Sequence, residues 1–108
     1  MSQKTALKQL TELLDPGDEV VTTLANASAF LGEFLADINW VGFYLLKGET
    51  LYLGPFQGKP ACTRIAVGKG VCGTAIQMDC TLRVDNGHAF PGHIACDCAS
   101  NSAIVVVL

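Results

Sequence analysis

Apolar residues along this chain recur first at helical spacing and then at strand spacing, and the change of period divides it. Ala6, Leu7, Leu10, Leu13 and Leu14 fall three and four apart, which predicts a short amphipathic helix over about residues 3–14. Asp15-Pro16 interrupts that pattern. Asp15 is the expected N-cap of a second helix, with Pro16 at its first position and Asp18 and Glu19 at its positive end. Val20, Val21, Leu24, Phe30, Leu31, Phe34 and Leu35 give this second helix a broad apolar face over about residues 17–36.

From Ile38 to Leu46 the residues are aromatic and β-branched, which predicts a strand. Lys47-Gly48-Glu49-Thr50 reads as a turn, and Leu51 to Phe56 as the returning strand of a hairpin. Thr63 to Val67 alternates as a short strand, Gly68-Lys69-Gly70 opens a short helix through Val71 to Met78, and Leu82-Arg83-Val84 is a further strand. Residues 85–102 form a long polar loop that holds both histidines, and loops of that length in a compact domain are usually functional or disordered. Ile104 to Leu108 is a fully apolar strand. The order predicts one α+β domain over residues 1–108, an antiparallel sheet flanked by helices. The last strand needs neighbours on both sides, and at most one can come from what precedes it. The domain is therefore expected to be incomplete at its C-terminus, with an exposed apolar edge.

The chain has 108 residues, half of them apolar, with a net charge of −3, which suits a globular protein near the small end of what buries its own core. Its seven Lys and Arg are scattered, so no basic stripe points to nucleic acid. The longest apolar run, Ala103 to Leu108, is far too short to span a bilayer. Met1-Ser2-Gln3-Lys4-Thr5 lacks the charged-then-apolar order of a secretory signal, which makes the cytoplasm the expected compartment. There, five cysteines are more often catalytic, redox-active or metal-binding than structurally paired.

Those thiols sit in distinct settings. Cys96, in Gly92-His93-Ile94-Ala95-Cys96-Asp97-Cys98, lies three residues after His93 and beside Asp97. An imidazolium there would stabilise a thiolate, whereas Asp97 would oppose it unless it faces away or orients the histidine. The alternative is an inert loop cysteine. Cys72 falls in the first turn of a helix near Lys69, and both features lower a thiol pKa; equally, it could pack as a small apolar residue. Cys62 follows Pro60-Ala61, and Cys80 has no neighbour that gives it a chemical role.

Gly68-Lys69-Gly70-Val71-Cys72-Gly73 matches G-x-G-x-x-G but lacks a parallel βαβ setting, so no dinucleotide cofactor is expected. Cys96, Cys98 and His93 have the wrong spacing for zinc, and no metal site is expected. On the strand at residues 38–46, Trp40, Gly42 and Tyr44 share one face and Val41 and Phe43 the other. Two large rings flanking a glycine leave a hollow suited to a small ligand with a soft sulfur or a cationic group. Core packing is the alternative use of the same rings.

Asp37-Ile38-Asn39-Trp40-Val41-Gly42-Phe43-Tyr44, Leu53-Gly54-Pro55-Phe56-Gln57-Gly58-Lys59, Gly68-Lys69-Gly70-Val71-Cys72-Gly73-Thr74-Ala75 and Pro91-Gly92-His93-Ile94-Ala95-Cys96-Asp97 together resemble the free methionine-(R)-sulfoxide reductases. That family has a GAF-like fold and acts on the free amino acid. The likeness runs from about residue 20 to the end. It implies that the Cys96 thiolate attacks the sulfoxide sulfur, releases methionine and becomes a sulfenic acid. Cys62 or Cys72 would then condense with it to a disulfide that thioredoxin reduces.

Within the same resemblance Trp40 and Tyr44 match the pocket aromatics around the methyl-sulfur end, and His93 and Asp97 join them as substrate-binding residues. No cofactor is implied, and a homodimer stays open. Cys96 is favoured over Cys72 as the nucleophile because its loop can close over a substrate. The chain departs from the family at Ala103, where a glutamate is usual, and at Val107, where a proline is usual. The family also continues for two strands and a helix that bring further acidic residues. A non-catalytic or degenerate GAF-type module that binds a small ligand is the alternative these departures raise.

Overall fold

The computed structural model describes residues 15–84 and 103–108, together with Thr5, Lys8, Gln9 and Glu12. Those last four residues are helical, as the periodicity over residues 3–14 predicts; the apolar positions of that helix lie outside the described residues.

Asp15 folds back on its own backbone and caps no helix. Its carboxylate accepts the Gly17 N–H at 2.8 Å, and its carbonyl accepts the Asp18 N–H at 3.0 Å. This Asx-type turn satisfies locally the donors that a helix start would have offered. Helix α1 accordingly runs from Val20 to Phe34, three residues later than the pattern suggests, with Glu19 at its N-cap and no side-chain capping bond. The Leu35 N–H closes the last turn on the Leu31 carbonyl at 2.9 Å. Burial on α1 centres on Ala27 and Ser28, while Val20 and Val21 at its start stay exposed.

Strand β1 (Trp40–Lys47) and strand β2 (Thr50–Gly58) form the expected hairpin around Gly48-Glu49. Gly48 has a φ of 63°, which the first position of a two-residue turn matched to strand twist requires. Strand β3 (Arg64–Ala66) pairs antiparallel with β2 through Thr50↔Ala66, Leu51↔Ile65 and Tyr52↔Arg64, giving a sheet in the order β1-β2-β3. Leu51 and Ile65 face each other across that ladder, and both are buried.

Helix α2 (Gly70–Met78) follows a turn in which Gly68 and Gly70 both have positive φ. A side chain at Gly73 would collide with the Ala66 carbonyl, so this glycine lets the helix lie directly on the end of β3. The three glycines of G-x-G-x-x-G thus make a tight strand-to-helix connection in an antiparallel setting. Asp79 ends α2 in the left-handed region, φ 51°, and the Cys80 N–H reaches the Ala75 carbonyl at 3.2 Å.

Strands β4 (Leu82–Val84) and β5 (Ala103–Val105) form a second, two-stranded antiparallel sheet, and α2 packs against β3, β4 and β5. The apolar run that reads as fully buried is mostly open: Ile104 is 67% exposed and Leu108 97% exposed. Its only strand partner among the described residues is β4, so one edge and much of one face have no protein cover there.

By its internal contacts the chain divides into two units, Met1–Tyr44 with Gly54–Lys59, and Leu45–Leu53 with Pro60–Leu108. The first is centred on Ala27 and Ser28, and the second on Leu51, Ile65, Val71 and Ala75. Among the described residues no helix is long and apolar enough to cross a membrane.

Candidate functional site

The first unit holds the aromatic residues. Trp40 opens β1, and its ring lies beside two others: Tyr44, with centroids 6.2 Å apart, and Phe56 of β2, with centroids 5.5 Å apart and planes within 18°. The indole Nε1–H donates to the Lys59 carbonyl at 3.1 Å. Two glycines make room for this arrangement. A side chain at Gly42 would run into the Phe56 Cβ and would lie 2.8 Å from the six-membered ring of Trp40. At Gly58, with φ 135°, a side chain would sit 2.7 Å from the indole and 2.8 Å from the Asn39 carbonyl.

The hollow expected between Trp40 and Tyr44 is therefore filled. Phe56 and the indole itself cover Gly42, because the glycine admits the closest approach of a neighbouring strand as readily as it admits a ligand. All three rings are half-buried, so the cluster keeps an accessible side.

Beneath it, Ser28 of α1 is fully buried, and its hydroxyl lies 2.8 Å from the Leu24 carbonyl and 3.0 Å from the Pro55 carbonyl. One hydroxyl proton serves the two acceptors in turn. This contact ties α1 to the same stretch of β2 that carries Phe56.

The second unit holds the described thiols. Cys62 is half-buried just before Thr63, whose carbonyl takes the Leu53 N–H at 3.0 Å and so anchors the start of β3. Cys62 is disulfide-bonded, whereas Cys72 and Cys80 are free thiols. Cys72 lies in the first turn of α2 between the buried Val71 and Gly73.

Burial pushes the Cys72 thiol up from its ordinary value, opposite to the lowering expected from its helix position. Loss of hydration for the charged form outweighs the helix end, and Lys69 is exposed, where water screens its charge. A protonated thiol is a weak nucleophile at neutral pH. Cys96, His93 and Asp97, together with Cys98, lie outside the described residues. Among the described residues no group of three or more His, Cys, Asp or Glu side chains is arranged to hold a metal ion.

No family model matches the chain. Individual proteins do. A free methionine-R-sulfoxide reductase of Escherichia coli (strain K12) is 62% identical over 88 residues, which cover 82% of this chain and 53% of that protein. The fRMsr of Staphylococcus aureus in its reduced form is 50% identical, with a TM-score of 0.90 over 95% of this chain and 67% of that one. The chain belongs to the free methionine-R-sulfoxide reductase family.

The S. aureus protein in complex with substrate gives a TM-score of 0.87 at the same identity and coverage. A GAF domain 43% identical to the chain gives 0.86 over 98% of this chain and 66% of that one. The fold is GAF-like, as the family resemblance in the sequence implies. The chain spans about half the length of the E. coli reductase and two thirds of the S. aureus one.

Relative to what the sequence suggests for a reductase of this family, the structure adds Phe56, Gly58 and the Lys59 carbonyl to the surroundings of Trp40. The signal for them was present as Gly-Pro-Phe-Gln-Gly in the strand returning past Trp40. It could be read only with the cross-strand pairing in hand.

Proposed function

We propose that the protein reduces free L-methionine-(R)-S-oxide to L-methionine with its own thiols. The Cys96 thiolate attacks the sulfoxide sulfur as the sulfoxide oxygen takes up a proton. That oxygen then passes from the substrate sulfur to the Cys96 sulfur while the transient S–S bond breaks, so methionine leaves and Cys96 becomes a sulfenic acid. The Cys62 thiol then attacks that sulfenic sulfur, forming the Cys62–Cys96 disulfide and releasing water. Thiol–disulfide exchange with a dithiol of the thioredoxin type, in the cytoplasm, restores both thiols and leaves the donor oxidised. Trp40 and Tyr44 take the methyl-sulfur end of the substrate, where ring faces and edges suit polarizable sulfur. His93 assists formation of the Cys96 thiolate, and Asp97 orients His93 and the substrate amine.

The observation that carries this reading is the pairing of the thiols in the structure. Cys62 stands in a disulfide while Cys72 and Cys80 are free, which supports Cys62 as the thiol that resolves the intermediate. The raised Cys72 pKa supports a subordinate role for that thiol. The test is oxidation of NADPH by thioredoxin reductase and thioredoxin in the presence of the protein. Turnover with free methionine-(R)-sulfoxide, and none with the (S)-epimer or with peptide-bound sulfoxide, is expected. Equal rates on the peptide-bound form would reject the substrate assignment.

A second reading, ligand binding without turnover, is favoured by one residue. Ala103 is exposed on β5 and carries no carboxylate to move the sulfoxide proton. Calorimetric binding of methionine sulfoxide with no NADPH consumed would select it.

A further inference from the structure

We infer that Phe56 is a positioning residue for the proposed sulfoxide site, fixing the Trp40 indole so that one edge of it stays turned to the methyl-sulfur end of the ligand. The inference rests on the proposed substrate class, and its geometry lies entirely within one unit of the chain.

Trp40 is held from three sides. The Lys59 carbonyl takes its only hydrogen-bond donor at 3.1 Å. Gly58 presses on the pyrrole side, where a Cβ would lie 2.7 Å away. Phe56 stacks against it at 5.5 Å, closer and more nearly parallel than Tyr44 at 6.2 Å and 28°. With the Nε1–H fixed and the backbone close on one side, the six-membered ring lies over Gly42, 2.8 Å from where a Cβ there would stand, and the freedom left to it is to tilt away from that position. The Phe56 ring opposes that tilt, because it stacks on the indole with centroids 5.5 Å apart and planes within 18°.

Ring pairs of this kind select a geometry as well as adding stability. A ligand that contacts Trp40 and Tyr44 would otherwise have to order the indole when it binds, and that cost would appear in its affinity. Phe56 is therefore expected to act on KM through Trp40 while leaving the chemical step alone.

The chain has a single tryptophan, so its fluorescence reports Trp40 directly. Phe56→Leu removes the ring, Phe56→Met removes it with an unbranched, more adaptable side chain of about the same volume as Leu, and Phe56→Tyr keeps it. Acrylamide quenching of the ligand-free protein should rise in the Leu and Met variants and return to the wild-type value in the Tyr variant. KM for methionine-(R)-sulfoxide should rise about 3–10-fold in the Leu and Met variants, with kcat changed by less than about twofold, and recover in the Tyr variant. The Met variant carries the test if the Leu variant does not fold.

Unchanged quenching in a folded ring-less variant overturns the inference, as does raised quenching with an unchanged KM. A wild-type protein that neither binds nor turns over methionine sulfoxide removes the reading on which the inference rests. That failure shows in the unsubstituted protein, before any variant is compared.

Discussion

Gly42 of β1 and Phe56 of β2 approach so closely that a β-carbon on Gly42 would overlap the Phe56 side chain and stand 2.9 Å from its Cα. The obstruction is partly backbone, so no rotamer change relieves it. Gly42→Ala should therefore destabilise the protein by about 1–3 kcal/mol, the usual cost of overpacking, despite alanine's lower backbone entropy in the unfolded chain. Urea unfolding followed by far-UV circular dichroism measures it, and tryptophan emission should shift because the indole lies 2.8 Å from the same point. A neutral or stabilising substitution would show that the three rings pack more loosely than described.

Ser28 offers a second test on the same stretch of β2. Its hydroxyl is fully buried and reaches the Pro55 carbonyl at 3.0 Å, an acceptor in a segment where proline itself brings no N–H. Ser28→Ala leaves that carbonyl without this donor, which should cost about 1–2 kcal/mol with no change in the dependence on urea concentration. Ser28→Cys should fall between the two, because a thiol is a weaker donor of similar shape.

These contacts mark where the sequence stops being legible. The change from helical to strand period announces α1, the hairpin and the order of the elements, because burial acts on each element through its own repeat. Asp15 misleads because the same side chain can cap a helix or close a turn on Gly17, and only the choice between local partners decides. Phe56 is hidden for a different reason. Counting back from the two-residue turn at Gly48-Glu49, Gly42 would face Pro55, yet its close neighbour is Phe56, one residue further on. A shift of one residue moves a side chain to the other face, and no local pattern reveals it. The direction of the Cys72 shift is illegible too, since desolvation depends on what packs against α2 in the folded chain.

The Cys72 shift predicts a pH dependence. With its pKa raised by burial, the folded state holds the proton more tightly than the unfolded state does. The stabilisation is complete below the ordinary thiol value of 9.0 and is lost as pH rises from there through the raised value. Residue-resolved alkylation with iodoacetamide should show Cys72 reacting more slowly than a free thiol at pH 8, with an inflection above 9.0. The decline in stability between pH 9 and 10 should be shallower in Cys72→Ala than in the parent. An inflection near neutrality would mean that the helix end governs this thiol, and it would restore Cys72 as a candidate nucleophile.

The division of labour among the thiols makes the most direct prediction about mechanism. Cys62 is the described thiol that stands oxidised, and Cys96 is the one whose sequence neighbours can promote a thiolate. If Cys96 attacks and Cys62 resolves, the two substitutions should fail at different steps. Cys96→Ser should release no methionine from the sulfoxide at all, since a serine hydroxyl cannot take the oxygen. Cys62→Ser should still release about one equivalent of methionine from the pre-reduced protein and then stall with thioredoxin, because the sulfenic acid has lost its proposed partner. Dimedone should label Cys96 in that stalled protein, and peptide mapping of the substrate-oxidised parent should find Cys62 joined to Cys96. Cys80→Ser and Cys98→Ser should retain most of the turnover. A Cys62→Ser protein that cycles at the parental rate, or one in which Cys72 becomes cross-linked to Cys96 without loss of rate, would transfer the resolving role to Cys72 in spite of its burial.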